Sequence, residues 1–340
     1  MSKLKHFFGC IREYKTSTIL TILLVVGEAA IEVTIPFITA DLINKINGGI
    51  NMSQVLTTGV ILVLLALLSL CFGGLAGFTC SKASAGFAKN LRHDLFQKVQ
   101  TYTFGNIDKF SSSSLVTRMT TDVSNIQMSY MMIIRTAVRS PLMLIFSIIM
   151  AYVMGGGLAT CFVIVVPVLA FGLFLIGKTA MPAFRRVFKK YDKLNESIEE
   201  NVRAMRVVKS FSREDYEKKK FGSAAEDIRK DFTKAERIVA FNSPLMQICL
   251  YFNMVFILLI GSQMTISSFG QTVNIGQISA MLTYGFQILM ALMMLSMIYV
   301  IITMSAESMH RVCQVLEEIP SMENPENPIT EVKDGSIDFN

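Results

Sequence analysis

Residues 140–177 read SPLMLIFSIIMAYVMGGGLATCFVIVVPVLAFGLFLIG, with no Asp, Glu, Lys or Arg at any position. About 20 mainly apolar residues suffice to cross a bilayer. The run is too long for one crossing, and Gly155, Gly156 and Gly157 cut it near its middle. It therefore predicts two membrane helices joined by a tight turn. Its end also spells GLFLIGKT (172–179), the phosphate-loop pattern G-x-x-x-x-G-K-[ST]. A working phosphate loop follows a strand and turns free backbone N–H groups toward its ligand. Here the variable positions are Leu, Phe, Leu and Ile, after CFVIVVPVLAF. In lipid those amides must be bonded within a helix. The spelling thus predicts a helix end, with Lys178 marking the membrane border.

The rest of the chain follows the same logic. Of 340 residues, 52% are hydrophobic and only 17% charged, where a soluble domain carries about 25% charged residues. Residues 46–81 and 238–306 are also free of charge. The polar stretch SSFGQTVNIG (267–276) divides the second of these. Together with the run after Thr16, six membrane helices are expected, at roughly 16–40, 53–80, 130–154, 158–181, 240–266 and 277–306. The fold class is all-α: a polytopic membrane protein with six long spans and two polar helical extensions.

Basic residues orient it. With the N-terminus inside, the outer loops hold one of the 32 basic residues, Lys45, while 81–127 holds six and 178–237 holds seventeen. The net charge of +6 then reports membrane topology, and no nucleic-acid partner is expected. The opening MSKLKHFFGCIREYK is basic, with Leu4, Phe7, Phe8 and Ile11 on one helical face. It reads as an interfacial helix, not a cleaved leader. The six cysteines show no C-x-x-C spacing and read as small buried hydrophobes. His6, His93 and His310 are far apart and suggest no metal site.

The two polar segments carry helical stripes. Val187, Tyr191, Leu194, Ile198, Val202 and Met205 form one, and Phe221, Ala225, Ile228, Phe232, Ala235 and Val239 another. The charged break KSFSREDYEKKK lies between them. The fourth span therefore runs on past the membrane, turns and returns as the fifth. From Pro182 to Ser210 that is about 40 Å of helix. In the first segment Leu91, Leu95 and Val99 lead down to the break GNIDKFSSSSL, and a helix climbs again from about Thr120. Projecting helices with short turns at their tips favour a docking role.

SSLVTRMTTDVSNIQ (113–127), ENVRAMRVVKSFSREDYEKKKF (200–221) and the closing DGSIDFN (334–340) resemble the transmembrane half of ATP-binding-cassette exporters of the six-helix, domain-swapped, multidrug type. Arg118 and Asp122 match the family's usual pair, while Ser113 stands where the family often has Gly. The resemblance implies an interfacial elbow helix at 1–15, a six-helix domain at 16–318, and at 319–340 a linker and first strand of a nucleotide-binding domain. It implies coupling helices at the tips, about Lys109 to Ser114 and Val208 to Glu217. Their apolar anchors would be Phe110 and Phe211, with Lys209, Arg213 and Glu214 as charged rim and Ser212 as a helix N-cap.

Glu28 and Glu32 lie one turn apart in the first span. A central membrane charge costs about 2.5–3.5 kcal/mol on insertion scales. Three readings stand: a cation-attracting cavity wall, protonated carboxyls bonded to a neighbouring helix, or a lining that faces an outer water-filled opening. Gln287, Met290 and Met294 are the candidate lining of the sixth span. Gly73 and Gly77 form a G-x-x-x-G read as close helix packing, and Arg135 and Arg139 read as snorkelling side chains.

By resemblance the intact protein is an ATP-hydrolysing translocase of the plasma (inner) membrane, with both termini cytoplasmic. ATP and Mg²⁺ would sit in the nucleotide-binding domain, and this chain alone would show no ATPase activity. The implied partners are the bilayer, a second transmembrane half, both nucleotide-binding domains and a small hydrophobic or amphipathic substrate. The alternatives are an ion-gradient-driven transporter with Glu28 as proton carrier, or a lipid or peptide exporter of the same architecture.

Overall fold

The computed structural model describes residues 9–320 and Gly335. The start of the expected elbow helix and nearly all of the expected linker and strand lie outside these residues. Among the described residues every regular element is helical. We number the helices α1 (Lys15–Asn47), α2 (Met52–Gln100), α3 (Phe104–Phe110), α4 (Ser112–Thr117), α5 (Val123–Gly155), α6 (Thr160–Arg203), α7 (Met205–Ser210), α8 (Glu214–Ala240), α9 (Asn242–Ser267) and α10 (Ile275–Glu317). A π-helical turn, Arg118–Asp122, joins α4 to α5.

Among the described residues, five continuous helical runs are long and apolar enough to cross a membrane. The longest, Ser112–Arg203, has 92 residues, roughly 140 Å of helix and far more than one crossing. It is broken at Gly156, whose φ of +49° is a conformation glycine adopts freely. Two spans, α5 and α6, meet there, so the spans are six: α1, α2, α5, α6, α9 and α10. No residue in the most apolar window of α2 is buried, and Leu56, Leu70 and Phe78 stand exposed. A side-chain surface of that kind suits lipid.

The described chain forms two units. One comprises, of the described residues, 9–20, 78–134 and 301–320. Its core joins Phe87, Leu91 and Leu95 of α2 to Val123 and Ile126 of α5 and Val312 and Val315 of α10. Cys10 lies in this core, and burial, with Asp94 beside it, pushes its thiol up to about 12. The other unit comprises Thr21–Gly77 and Arg135–Val300. There Val33 and Ala40 of α1 pack with Ala151, Phe162, Ile257, Tyr284 and Ile288. Pro36 lies inside α1, and the Tyr284 hydroxyl donates to the Val33 carbonyl at 2.9 Å, compensating the backbone that proline disturbs. The predicted stripes of α6 and α8 meet only in part. Val187, Ile228 and Ala235 are buried, Phe184 meets Phe232 edge-on, and Lys190 pairs with Asp231 at 2.7 Å. Further along α6, Ile198 and Val202 are exposed.

Candidate functional site

Four places carry the candidate residues: the two tips, a charged cluster within the spans, and the sixth span around Gln287. At the first tip, the expected helix from Lys109 to Ser114 is in fact two short helices, α3 and α4. They break at Ser111, with φ +57°. Ser113 is helical and exposed. Asp122 is fully buried and accepts from Ser308 at 2.8 Å and from Arg311 Nε at 2.8 Å, with Arg311 Nη2 on its other oxygen. Arg118 Nη1 donates to the Arg311 carbonyl at 2.9 Å. The π-helical turn carries Arg118 and Asp122 at its two ends, and both meet α10. Such turns recur at functional sites.

The same tip holds the end of α10. Lys109 pairs with Glu318 at 2.7 Å, and buried Asn106 donates to the Ile319 carbonyl at 3.2 Å. Tyr102 donates to the Val315 carbonyl at 2.6 Å. Lys109 holds the Glu318 carboxyl below its usual range. Burial, with Glu318 nearby, raises the Tyr102 phenol to about 12.

Phe110 departs from the expectation of a docking anchor. Its ring stacks on Tyr102 at 5.9 Å, and the Arg118 guanidinium lies 4.8 Å from its centroid. An aromatic face satisfied inside the unit, by stacking and a cation, is not offered outward. The exposed aromatic of this tip is Phe104, at 87%.

The second tip is different. α7 covers Met205–Ser210, so only Val208 and Lys209 of the expected candidates are in it. Phe211 and Arg213 lie in the turn, and Glu214 begins α8. Ser212 has φ +50°. Its amide bonds the Lys209 carbonyl and the Arg213 amide bonds that of Val208, a Schellman ending. This corrects the expected Ser212 N-cap: its backbone closes α7, and Arg213 holds the N-cap position without a side-chain bond. Phe211 is 73% exposed, with Val207 and Tyr216 exposed nearby.

Within the spans, Arg139 of α5 binds Glu32 at 2.6 Å and stands 3.6 Å from Glu28. Snorkelling is therefore the wrong account of Arg139. A bare cation-attracting wall is also wrong, because both carboxylates face a guanidinium. Glu28 is buried, and its Oε2 has no hydrogen-bond partner among the described residues. Gly73 and Gly77 serve these groups: a β-carbon at Gly73 would stand 3.0 Å from Glu28 Oε1, and one at Gly77 would stand 3.5 Å from Arg135 Nη1. The G-x-x-x-G stripe makes room for charged side chains. Gln287 is tied to Ser147 at 3.0 Å, Met290 packs on the core around Leu289, and Met294 is exposed. GLFLIGKT lies inside α6, with Leu245 over Gly172 and the Thr179 hydroxyl on the Leu175 carbonyl at 2.7 Å. Its amides belong to the helix, so it offers phosphate no cradle.

Six spans with two helical extensions beyond them define a multi-pass membrane protein of the transporter type. The profile of the ABC transporter transmembrane region matches residues 18–312, and the chain belongs to that family. It is 28% identical over 284 residues to the uncharacterized ABC transporter ATP-binding protein YfiB of Bacillus subtilis, covering 84% of this chain and 49% of that protein. It is 29% identical over 211 residues to a putative ABC transporter ATP-binding protein of Mycoplasma genitalium, covering 61% and 34%. It is 26% identical over 181 residues to the ATP-dependent lipid A-core flippase of Pseudomonas fluorescens, covering 52% and 30%. The chain thus spans half or less of the length of these relatives.

Proposed function

We propose that this chain is the membrane half of an ATP-driven exporter that works as a dimer. Both termini and both tips face the cytoplasm, and the spans form half of an alternating-access pathway. The tips act as coupling helices on nucleotide-binding domains, which hold ATP and Mg²⁺. The observation that carries this reading is the second tip. Phe211 stands exposed at the end of two long helices, rimmed by Lys209 and Arg213. Placing an aromatic ring in a partner's groove contributes about 1.5–3 kcal/mol, enough to transmit motion. The substrate is a hydrophobic or amphipathic molecule, and the flippase relative supports a lipid-like one. The test is the reconstituted full-length transporter carrying Phe211→Ala. We expect ATPase activity that no longer responds to substrate, in a protein of unchanged thermal stability. Normal coupling in that variant overturns the docking role.

A further inference from the structure

Glu28, Glu32, Arg135 and Arg139 sit in one unit, on the first and third spans. Every bond of Arg139 to the two carboxylates uses Nη2, so its Nε and Nη1 keep their donors. Arg135 makes no hydrogen bond or ion pair among the described residues, and its guanidinium lies over Gly77. Glu28 lies one turn away over Gly73, 6% exposed, with Oε2 unpartnered. Counting from Gly155, Arg139 lies about 24 Å and Arg135 about 30 Å along the span, against a hydrocarbon core about 30 Å thick. By this count Arg135 stands at the border of the hydrocarbon nearer the polar tips, and Arg139 lies about 6 Å inside it. The four formal charges of the cluster cancel, so it does not favour a bare cation. What it lacks is an acceptor for Arg135 and a donor for Glu28, about 6 Å apart along the helix.

We propose that Arg135, with Arg139 beside it and Glu28 one turn away, binds an amphiphile's headgroup that carries a phosphate or carboxylate next to an ammonium or hydroxyl donor. This rests on the amphiphile-exporter reading above. The acid group takes the guanidinium donors, the strongest kind of hydrogen bond available there. The donor group satisfies Glu28 Oε2. Gly73 and Gly77 keep the space open, and a side chain at either position narrows it.

The test uses the full-length transporter in detergent micelles and phosphatidylethanolamine labelled with nitrobenzoxadiazole on an acyl chain, read by polarisation. Phosphatidylcholine with the same label has the phosphate but no N–H donor. We expect phosphatidylethanolamine to bind more tightly than phosphatidylcholine. Arg135→Gln should weaken it about tenfold, the loss of a charge-assisted bond. Gly77→Leu, which removes no charge, should weaken it likewise, and Glu28→Gln should narrow the preference over phosphatidylcholine. Arg135 bonds nothing in the described chain, so its replacement leaves the fold intact. Unchanged binding in Arg135→Gln overturns the site, and displacement of the lipid by millimolar inorganic phosphate overturns an amphiphile as its ligand. Transport of the same lipid is measured separately in vesicles. Arg135-dependent binding without ATP-driven transport refutes the pathway and leaves the site. Transport with Arg135-independent binding does the reverse.

Discussion

The two tips look alike in sequence and behave differently in structure. Each is a short helix closed by a serine at positive φ, Ser111 in one and Ser212 in the other. Each offers a phenylalanine near a lysine. Yet the first tip turns Phe110 inward and is strapped to the end of α10 by Asp122–Arg311, Lys109–Glu318 and Tyr102. The second turns Phe211 outward, in the turn between α7 and α8. The first tip is thus tied into its own unit, and the second presents an exposed aromatic ring. Motion of the α10 end must reach the first tip directly.

The largest break in this comparison is Arg311→Ala. It strands the fully buried Asp122 carboxylate, and breaking a buried pair costs about 3–5 kcal/mol. Thermal unfolding should fall accordingly, while Arg311→Lys, which keeps the charge, should lose less. Next comes the aromatic pair. Phe110→Ala removes ring stacking and a cation–π contact and should destabilise by about 2 kcal/mol. Phe211→Ala should stay within about 0.5 kcal/mol of wild type. Equal losses in the two variants would erase the distinction between the tips.

Smaller effects sharpen it. Ser212→Gly should stabilise by about 0.5–1 kcal/mol by relieving a side chain at positive φ. Ser111→Gly should give less, because the Ser111 hydroxyl accepts from the Ser114 amide at 3.4 Å. Acid should loosen the first tip alone. The folded-state carboxyl of Glu318 titrates below its usual range, so its contribution is present above that range and is lost as pH falls through the lowered value. Amide exchange at 104–110, compared with Lys109→Ala, checks this: the acid response should shrink in the variant, because Lys109 is the largest of the groups that lower the Glu318 carboxyl.

What the sequence made legible was local. Charge-free runs and the triple glycine at 155–157 located six spans, because bilayer thickness fixes helix length. Breaks rich in Ser, Gly and charge located both tips. The pairings were not legible. Glu32 and Arg139 are 107 residues apart, and Asp122 and Arg311 are 189 apart, so no helical period links them. Arg139 alone looked like a snorkelling side chain because its carboxylates come from another span. Gly73 and Gly77 signal close approach, but the spacing does not say whether a backbone or a charged side chain arrives. Phe110 and Phe211 each lie within two residues of a lysine and just before a serine, and the position of Tyr102 and Arg118 separates their surroundings.

Amide hydrogen exchange on the full-length transporter, wild type against Arg311→Ala, tests the central contrast most directly. Exchange should rise across 104–123 and stay as it was across 205–213. A rise of equal size in both tips, or none in the first, would contradict a first tip held from within and a second tip left open.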